Sequence, residues 1–497
     1  MVLRTLVALV AFSSFASAEV KMPAIFSDGM VLQRNTPVAI WGRADEGEVV
    51  IVSIGEEQRT ATTGPDGNWI LRMDPRPVGP AQVVRVQGNN TLVFKDVLFG
   101  EVWIGAGQSN MGLPVGCCRP TEAHLKARDH VRFYQQSSWH SSEPEWEGAG
   151  SWMASTPELT NEFSGALYFF GLELHQTLDV PVGLIQISLG GTRIESWTSA
   201  EVQYSHPRLA PFARADDKEF KAYDLERERA EFEERVARWD KQHPDATREE
   251  RKLQRPRGSF EMHLRVGNVA GLFNGKVAPL IPYTMKGVVW YQGENNAKNP
   301  ELYHDQLTNL IRDWRSRWGQ GDFPFAWVQL PNFAIPAEGE KWPEMREAMR
   351  QTLKEPNTGM VIALDIGQER NIHPWNKQAI GHRFANWALG SLYGMQRPVS
   401  GPLYASHKFS GANVVVSFSH SYGPLKQRGE VLSGFEVLDE EGNWLAAKAK
   451  TSGAKVIVTA PADTTPAGLR FNWSNSPKCT LYGAKGIPAS PFTTEKL

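Results

Sequence analysis

Ser109 stands in "GAGQSNM", directly after the apolar run "EVWI", and a hydroxyl on a glycine-rich loop at the end of a buried run is a candidate nucleophile. A serine oxygen attacks poorly unless a base takes its proton, and a loop lets it project toward one. Other polar groups follow apolar runs in the same way. Gly190 and Gly191 close "GLIQISLGG", Gln292 and Glu294 lie at the end of "KGVVWYQGE", and Asp365 with His373 follows "GMVIALDIG". A hydroxyl, an imidazole, glycine amides and a carboxamide are together the parts of acyl transfer: nucleophile, base and oxyanion donors. Singly, each is ordinary. "GQSNM" is not a G-x-S-x-G elbow, because Met111 stands at the second glycine, and a Ser-Asn pair after a strand also reads as a helix N-cap. Pro374 restricts His373 to extended backbone, which suits a loop that aims the ring into a cleft.

The elements that would position these groups are legible as a change of period. "EVWIGAG" (101–107), "GLIQISLGG" (183–191), "KGVVWYQGE" (286–294), "FAWVQL" (325–330) and "GMVIALDIG" (359–367) are short apolar runs suited to strands buried on both faces. Between them, Phe163, Ala166, Leu167, Phe170 and Leu174, and again Leu307, Leu310, Ile311, Trp314 and Trp318, repeat at helical spacing. The alternation predicts an α/β domain over 98–398 with a mostly parallel, five-stranded sheet, and ligands bind such sheets outside the carboxyl ends of the strands. Residues 19–97 read as a small all-β sandwich of short strands and turns, and 399–497 as a second β-rich domain; the two sets of strands could form one sandwich or two. A charged segment at 213–257 pairs Glu231 with Arg235 and Glu234 with Arg238 at i,i+4 spacing, which predicts an exposed helical hairpin, with a partner-binding arm or a lid as the other readings.

Composition narrows the partners. Lys and Arg number 53 against 55 Asp and Glu, so no global field directs the chain to nucleic acid or to an acidic membrane surface. The three cysteines, Cys117, Cys118 and Cys479, permit one disulfide at most and show no metal-ligand spacing. The 17 Trp suit core filling or stacking on sugar rings. Residues 1–18, with Arg4 ahead of an apolar run and "ASA" at its end, have the layout of a secretory signal peptide, and no later run is long enough to span a bilayer. The expected mature protein is secreted or periplasmic, with no integral membrane span.

"FSDGMVLQRNTPVAIWG", "GQSNM", "ISLGGTRIESW", "GKVAPLIPYTMKGVVWYQGENN", "DIGQERNIHPWNKQ" and "YGAKGIPASPF", in this order from Phe26 to Phe492, resemble the sialate O-acetylesterase family of the SGNH hydrolases. The resemblance implies a serine esterase that removes acetyl groups from sugar hydroxyls, a flavodoxin-like SGNH sheet with flanking β modules, an acetylated carbohydrate as substrate, and no metal or organic cofactor. Related members act on plant polysaccharides, so a xylan-type deacetylase is an alternative within the class, and a non-catalytic glycan-binding protein is an alternative outside it. By this resemblance Ser109 matches the nucleophile and His373 the base, and Gly190 and Gln292 fall at oxyanion positions, with the Ser109 amide as a further donor. Gln108, Arg193, Tyr291, Glu294 and Asn295 are the nearest candidates for substrate contacts. Many SGNH hydrolases carry an aspartate three residues before the histidine, and many sialate esterases one two residues before; here those positions hold Arg370 and Asn371. Asp365, slightly favoured because it ends the last strand, Glu369 and Glu294 are the candidate acids, and Asn371 or a backbone carbonyl could orient the ring instead.

Overall fold

The computed structural model describes residues 19–247, 250–251, 254–256 and 269–496. The signal peptide expected at 1–18 and part of the charged segment lie outside the described residues. Six strands build the centre: β1 (Thr91–Gly107), β2 (Arg128–Gln135), β3 (Val182–Ser188), β4 (Gly287–Tyr291), β5 (Phe325–Gln329) and β6 (Thr358–Ile362). Their order is β6-β5-β4-β1-β3-β2 with every neighbouring pair parallel, and Trp152–Ser155 adds an antiparallel strand beyond β2. Five of the six are the apolar runs of the sequence. The sixth, β2, is masked there by Arg128, Asp129, His130 and Arg132; Arg132 is nevertheless buried, because its guanidinium donates to the Gly29 carbonyl and to the Asp96 carboxylate.

Period-two alternation divides the sheet between two cores. The helices that cover the sheet or reach its rim include α1 (Ser109–Gly112), α2 (Gly165–Leu178), α3 (Pro300–Trp318), α4 (Trp342–Gln351) and α5 (Lys377–Leu392). Trp103, Val289 and Val328 face α2 and α5 through Leu167, Phe170, Ile380 and Phe384, whereas Val102, Ile104, Val288 and Trp290 face α3 and α4 through Leu307, Trp314, Met345 and Met349. The chain leaves β1 for β2 and β3 on one side and crosses back to β4 on the other. The carboxyl end of β1 therefore opens onto the crevice where such sheets take ligands.

β1 runs straight through position 97/98, where the sequence suggests a boundary. Its first half pairs antiparallel with Gln82–Gln87 and its second half pairs parallel with β3 and β4. The N-terminal strands accordingly share one continuous core with the α3 and α4 face of the sheet. The C-terminal strands make two four-stranded antiparallel sheets and one two-stranded sheet around their own core of Val416, Val437, Val458, Leu469 and Phe492, and among the described residues none of them pairs with an N-terminal strand. All three cysteines are free thiols. Among the described residues no helix is long and apolar enough to cross a membrane.

The charged segment forms the helices Ala210–Ala222 and Leu225–Gln242. Glu234 pairs with Arg238 at 3.2 Å as its spacing predicts, but Glu231 is reached by Arg227 at 3.8 Å, one turn earlier than expected. The first of these helices also supplies Asp216, which is ion-paired with Arg193 beside the crevice.

Candidate active site

Gly107, the last residue of β1, has φ of 130°, and a Cβ there would lie 2.3 Å from the Tyr291 carbonyl oxygen, so only glycine lets the chain turn this close to the end of β4. The Gln108 N–H then donates to the same carbonyl at 3.0 Å. Ser109 opens α1 as its first helical residue; the cap position is Gln108, so the N-cap reading of the serine does not hold. The Ser109 Oγ lies 2.8 Å from His373 Nε2, a contact between residues 264 positions apart in the chain.

The loop that carries the imidazole is held at three successive residues. Asn110 Nδ2 donates to the Ile372 carbonyl at 2.9 Å, the His373 N–H donates to Asn371 Oδ1 at 3.0 Å, and Lys377 Nζ donates to the Pro374 carbonyl at 2.8 Å. Burial, together with the nearby Lys377 charge, holds the His373 pKa below its ordinary value. Both effects favour the neutral imidazole, the form in which it can accept a proton.

Asp365 is not the partner of this ring. Both of its oxygens accept from Arg383, at 2.7 and 2.8 Å, because α5 brings that guanidinium against the end of β6. Glu369 makes no hydrogen bond to the ring either. Glu294 is buried and gives its Oε1 to Asn110 Nδ2 at 2.5 Å, while its second oxygen has no partner; burial pushes its carboxyl pKa up. Among the described residues, no carboxylate hydrogen-bonds to His373.

The oxyanion candidates separate as well. Gly190 lies against the serine, where a Cβ would sit 3.3 Å from Ser109 Cβ, and the Gly190 and Ser109 N–H groups make no hydrogen bond among the described residues. Gln292 does not join them. Its Nε2 donates to the Thr192 carbonyl at 3.0 Å and to Asn296 Oδ1 at 2.7 Å, its Oε1 accepts from the Tyr303 hydroxyl at 2.8 Å, and the side chain is fully buried. A carboxamide already satisfied at both ends has no donor left for an incoming oxyanion.

The expected substrate contacts divide by burial. Tyr291 is fully enclosed in the core, Gln108 is buried with its Oε1 near the Gly293 N–H at 3.4 Å, and Glu294 is committed to Asn110. Arg193 and Asn295 reach the surface; the Arg193 charge is matched by Asp216, and Asn295 Nδ2 donates to the Gly191 carbonyl at 2.8 Å, which pins the glycine loop. Two features escaped the sequence reading. One is the buried cluster of Asn110, Glu294 and Lys377, whose members adjoin named motif residues but give no sign of meeting. The other is the exposed Arg119, which lies 4.3 Å over the ring of Trp375, two residues beyond the histidine.

Comparison with known proteins gives a consistent set. A family model described as "Carbohydrate esterase, sialic acid-specific acetylesterase" matches residues 100–219 and 273–389, the segments that carry all of these groups. Sialate O-acetylesterase from Rattus norvegicus is 30% identical, the alignment covering 93% of this chain and 92% of that one. Sialate O-acetylesterase from Homo sapiens is 28% identical over 94% and 91%. The crystal structure of a carbohydrate acetylesterase from Xanthomonas citri superposes with a TM-score of 0.80 at 30% identity, covering 96% of this chain and all of that one.

Proposed function

Because the chain belongs to the sialic acid-specific acetylesterase family of carbohydrate esterases and is an O-acetyl ester hydrolase, we propose that Ser109 and His373 are its catalytic pair and an O-acetylated sialic acid its substrate. The observation that carries the assignment of the pair is the 2.8 Å contact of Oγ with Nε2 at the carboxyl end of β1, beside two unbonded N–H groups. Ser109 Oγ attacks the acetyl carbonyl carbon as its proton passes to His373 Nε2. The carbonyl oxygen takes up the negative charge, and the Ser109 and Gly190 amides donate to it. The tetrahedral adduct collapses with cleavage of the bond to the sugar oxygen, which receives the proton from His373, and the acetyl group remains on Ser109. A water molecule then gives a proton to the same imidazole and attacks the acetyl-enzyme; the bond to Ser109 Oγ breaks, the imidazolium returns the proton to that oxygen, and acetate leaves.

The strand order supports the SGNH form of the α/β fold: without β2 and the antiparallel strand beyond it, the sheet reads 2-1-3-4-5 in chain order, the flavodoxin-like arrangement. The leader-like residues 1–18 support export to the periplasm or the exterior. The substrate follows from the relatives, and a panel tests it. Purified protein incubated with O-acetylated sialic acids, acetylated xylan and acetylated pectin should release acetate fastest from the sialic acids. Release from xylan or pectin alone would overturn the substrate reading and leave the pair in place.

Gly190→Ala tests the oxyanion assignment. The added methyl would meet Ser109 Cβ at 3.3 Å, tighter than ordinary van der Waals contact, so the amide and the serine must separate by a few tenths of an ångström. A displacement at the reacting centre of that order is expected to cost about tenfold in kcat with KM little changed. Steady-state kinetics on an aryl acetate reads both values.

A further inference from the structure

A serine esterase pair needs its imidazole held toward the serine, and the carboxylate that usually does this is not at His373. What the structure offers instead is the anchoring of three consecutive backbone positions, 372 to 374, by the side chains of Asn110, Asn371 and Lys377. Two of these anchors are joined to each other: Lys377 Nζ donates to Asn110 Oδ1 at 2.6 Å, and Asn110 Nδ2 in turn donates to Glu294 Oε1. A single buried chain of hydrogen bonds thus ties the residue after the nucleophile, the residues flanking the base and the loop after β4.

On the reading that His373 is the base, we propose that Lys377 is the positioning residue for that base, clamping its loop through Pro374 and Asn110 in place of a triad carboxylate. The lysine side chain is fully buried, and its Nζ lies 5.0 Å from the centre of the Tyr291 ring, so both hydrogen bonds and the ring face are engaged at once. Placing a cation there is costly, and a purely packing role would be served as well by an apolar side chain of the same length. Charge has a use at this point: an ammonium polarises the Asn110 amide between itself and the Glu294 carboxyl, strengthening the bond that amide makes to the Ile372 carbonyl. The groups that face Lys377 are Glu294 from the loop after β4, the Cys118 thiol from the turn Val115–Cys118, the Tyr291 ring and His373 itself. Burial pushes the Cys118 thiol up to about 11, so it stays neutral, and among the described residues that face the ammonium the carboxyl group is that of Glu294. Burial also brings Lys377 down to about 8.

The test is Lys377→Met in the full chain, with kcat and KM for an aryl acetate measured from pH 5 to 10 beside the wild type. The expected result is a kcat at least tenfold lower with KM within about twofold, and an acidic limb of kcat/KM moved to higher pH, since removing a positive charge from beside the imidazole raises its pKa. A folded Lys377→Met protein with the wild-type kcat, or with the acidic limb unmoved, overturns the proposal. If the variant does not fold, the wild type alone decides: its kcat should decline as the pH passes about 8 and Lys377 loses its proton, and a kcat flat from pH 7 to 10 overturns the proposal. His373→Ala keeps the two readings apart. An active His373→Ala protein removes the base assignment itself, whereas an inactive one beside an unaffected Lys377→Met removes only the clamp.

Discussion

Replacing Ser109 by alanine is expected to lower kcat for an aryl acetate by about 10⁶-fold, with His373→Ala of similar size and the double variant no worse than either one. The reason is geometric. With Oγ and Nε2 2.8 Å apart, the oxygen and the base act as one nucleophilic unit, so removing either partner removes covalent catalysis entirely. The two amides beside the serine survive both substitutions, and residual turnover above the uncatalysed rate should come from them. Neither substitution disturbs the core: Ser109 and His373 are only half-buried, so thermal melting should match the wild type. Rates that multiply in the double variant would show that the two groups act in separate steps, and a Ser109→Ala protein with appreciable turnover would remove the nucleophile assignment.

Arg346→Met should have the largest effect on stability. The Arg346 side chain is fully buried on α4 and donates to four carbonyls, those of Leu330, Pro331, Ser474 and Asn475, at 2.9, 2.8, 2.8 and 2.7 Å. Leu330 and Pro331 follow β5, whereas Ser474 and Asn475 belong to the C-terminal β region, so one guanidinium fastens that region to the central sheet. Burial brings its pKa down to about 9 against a smaller opposing effect of Cys479, and the groups that hold the cation are neutral carbonyl dipoles. Methionine fills much of the volume and spares the cost of burying a charge, but it leaves the carbonyls without a donor, each worth roughly 1–3 kcal/mol when orphaned. A net loss of about 3 kcal/mol is expected, visible as a lower urea midpoint. Arg346→Lys, which can reach only some of the four oxygens, should fall between. A midpoint unchanged in both variants would show that the carbonyls find other partners.

The residues of the site divide along the same line as these two predictions. Strand ends are written locally: a run such as "EVWIGAG" is apolar throughout because both faces of the strand are covered, so the carboxyl ends of β1, β3, β4 and β6, and with them Ser109, Gly190 and the approach to His373, were legible from composition and period. The motif order added which serine and which histidine. Strand β2 was not legible, because a buried arginine satisfied by Gly29 and Asp96 looks in sequence like a surface charge.

The sequence by itself thus determined an α/β sheet between β-rich flanks and the two side chains that meet at its rim. Tertiary structure alone decided how the remaining polar groups are spent: Gln292 on Thr192, Asn296 and Tyr303, Asp365 on Arg383, and Glu294 on Asn110 and through it Lys377. Periodicity reports which way a side chain faces, since that depends on its own neighbours in the chain. A hydrogen-bond partner is chosen by whichever group arrives opposite after folding, and Asn110 and Lys377 come from positions 267 residues apart. Hydrogen bonds are short-ranged and directional, so a carboxamide or carboxylate has its role settled by an ångström-scale encounter that no local pattern encodes.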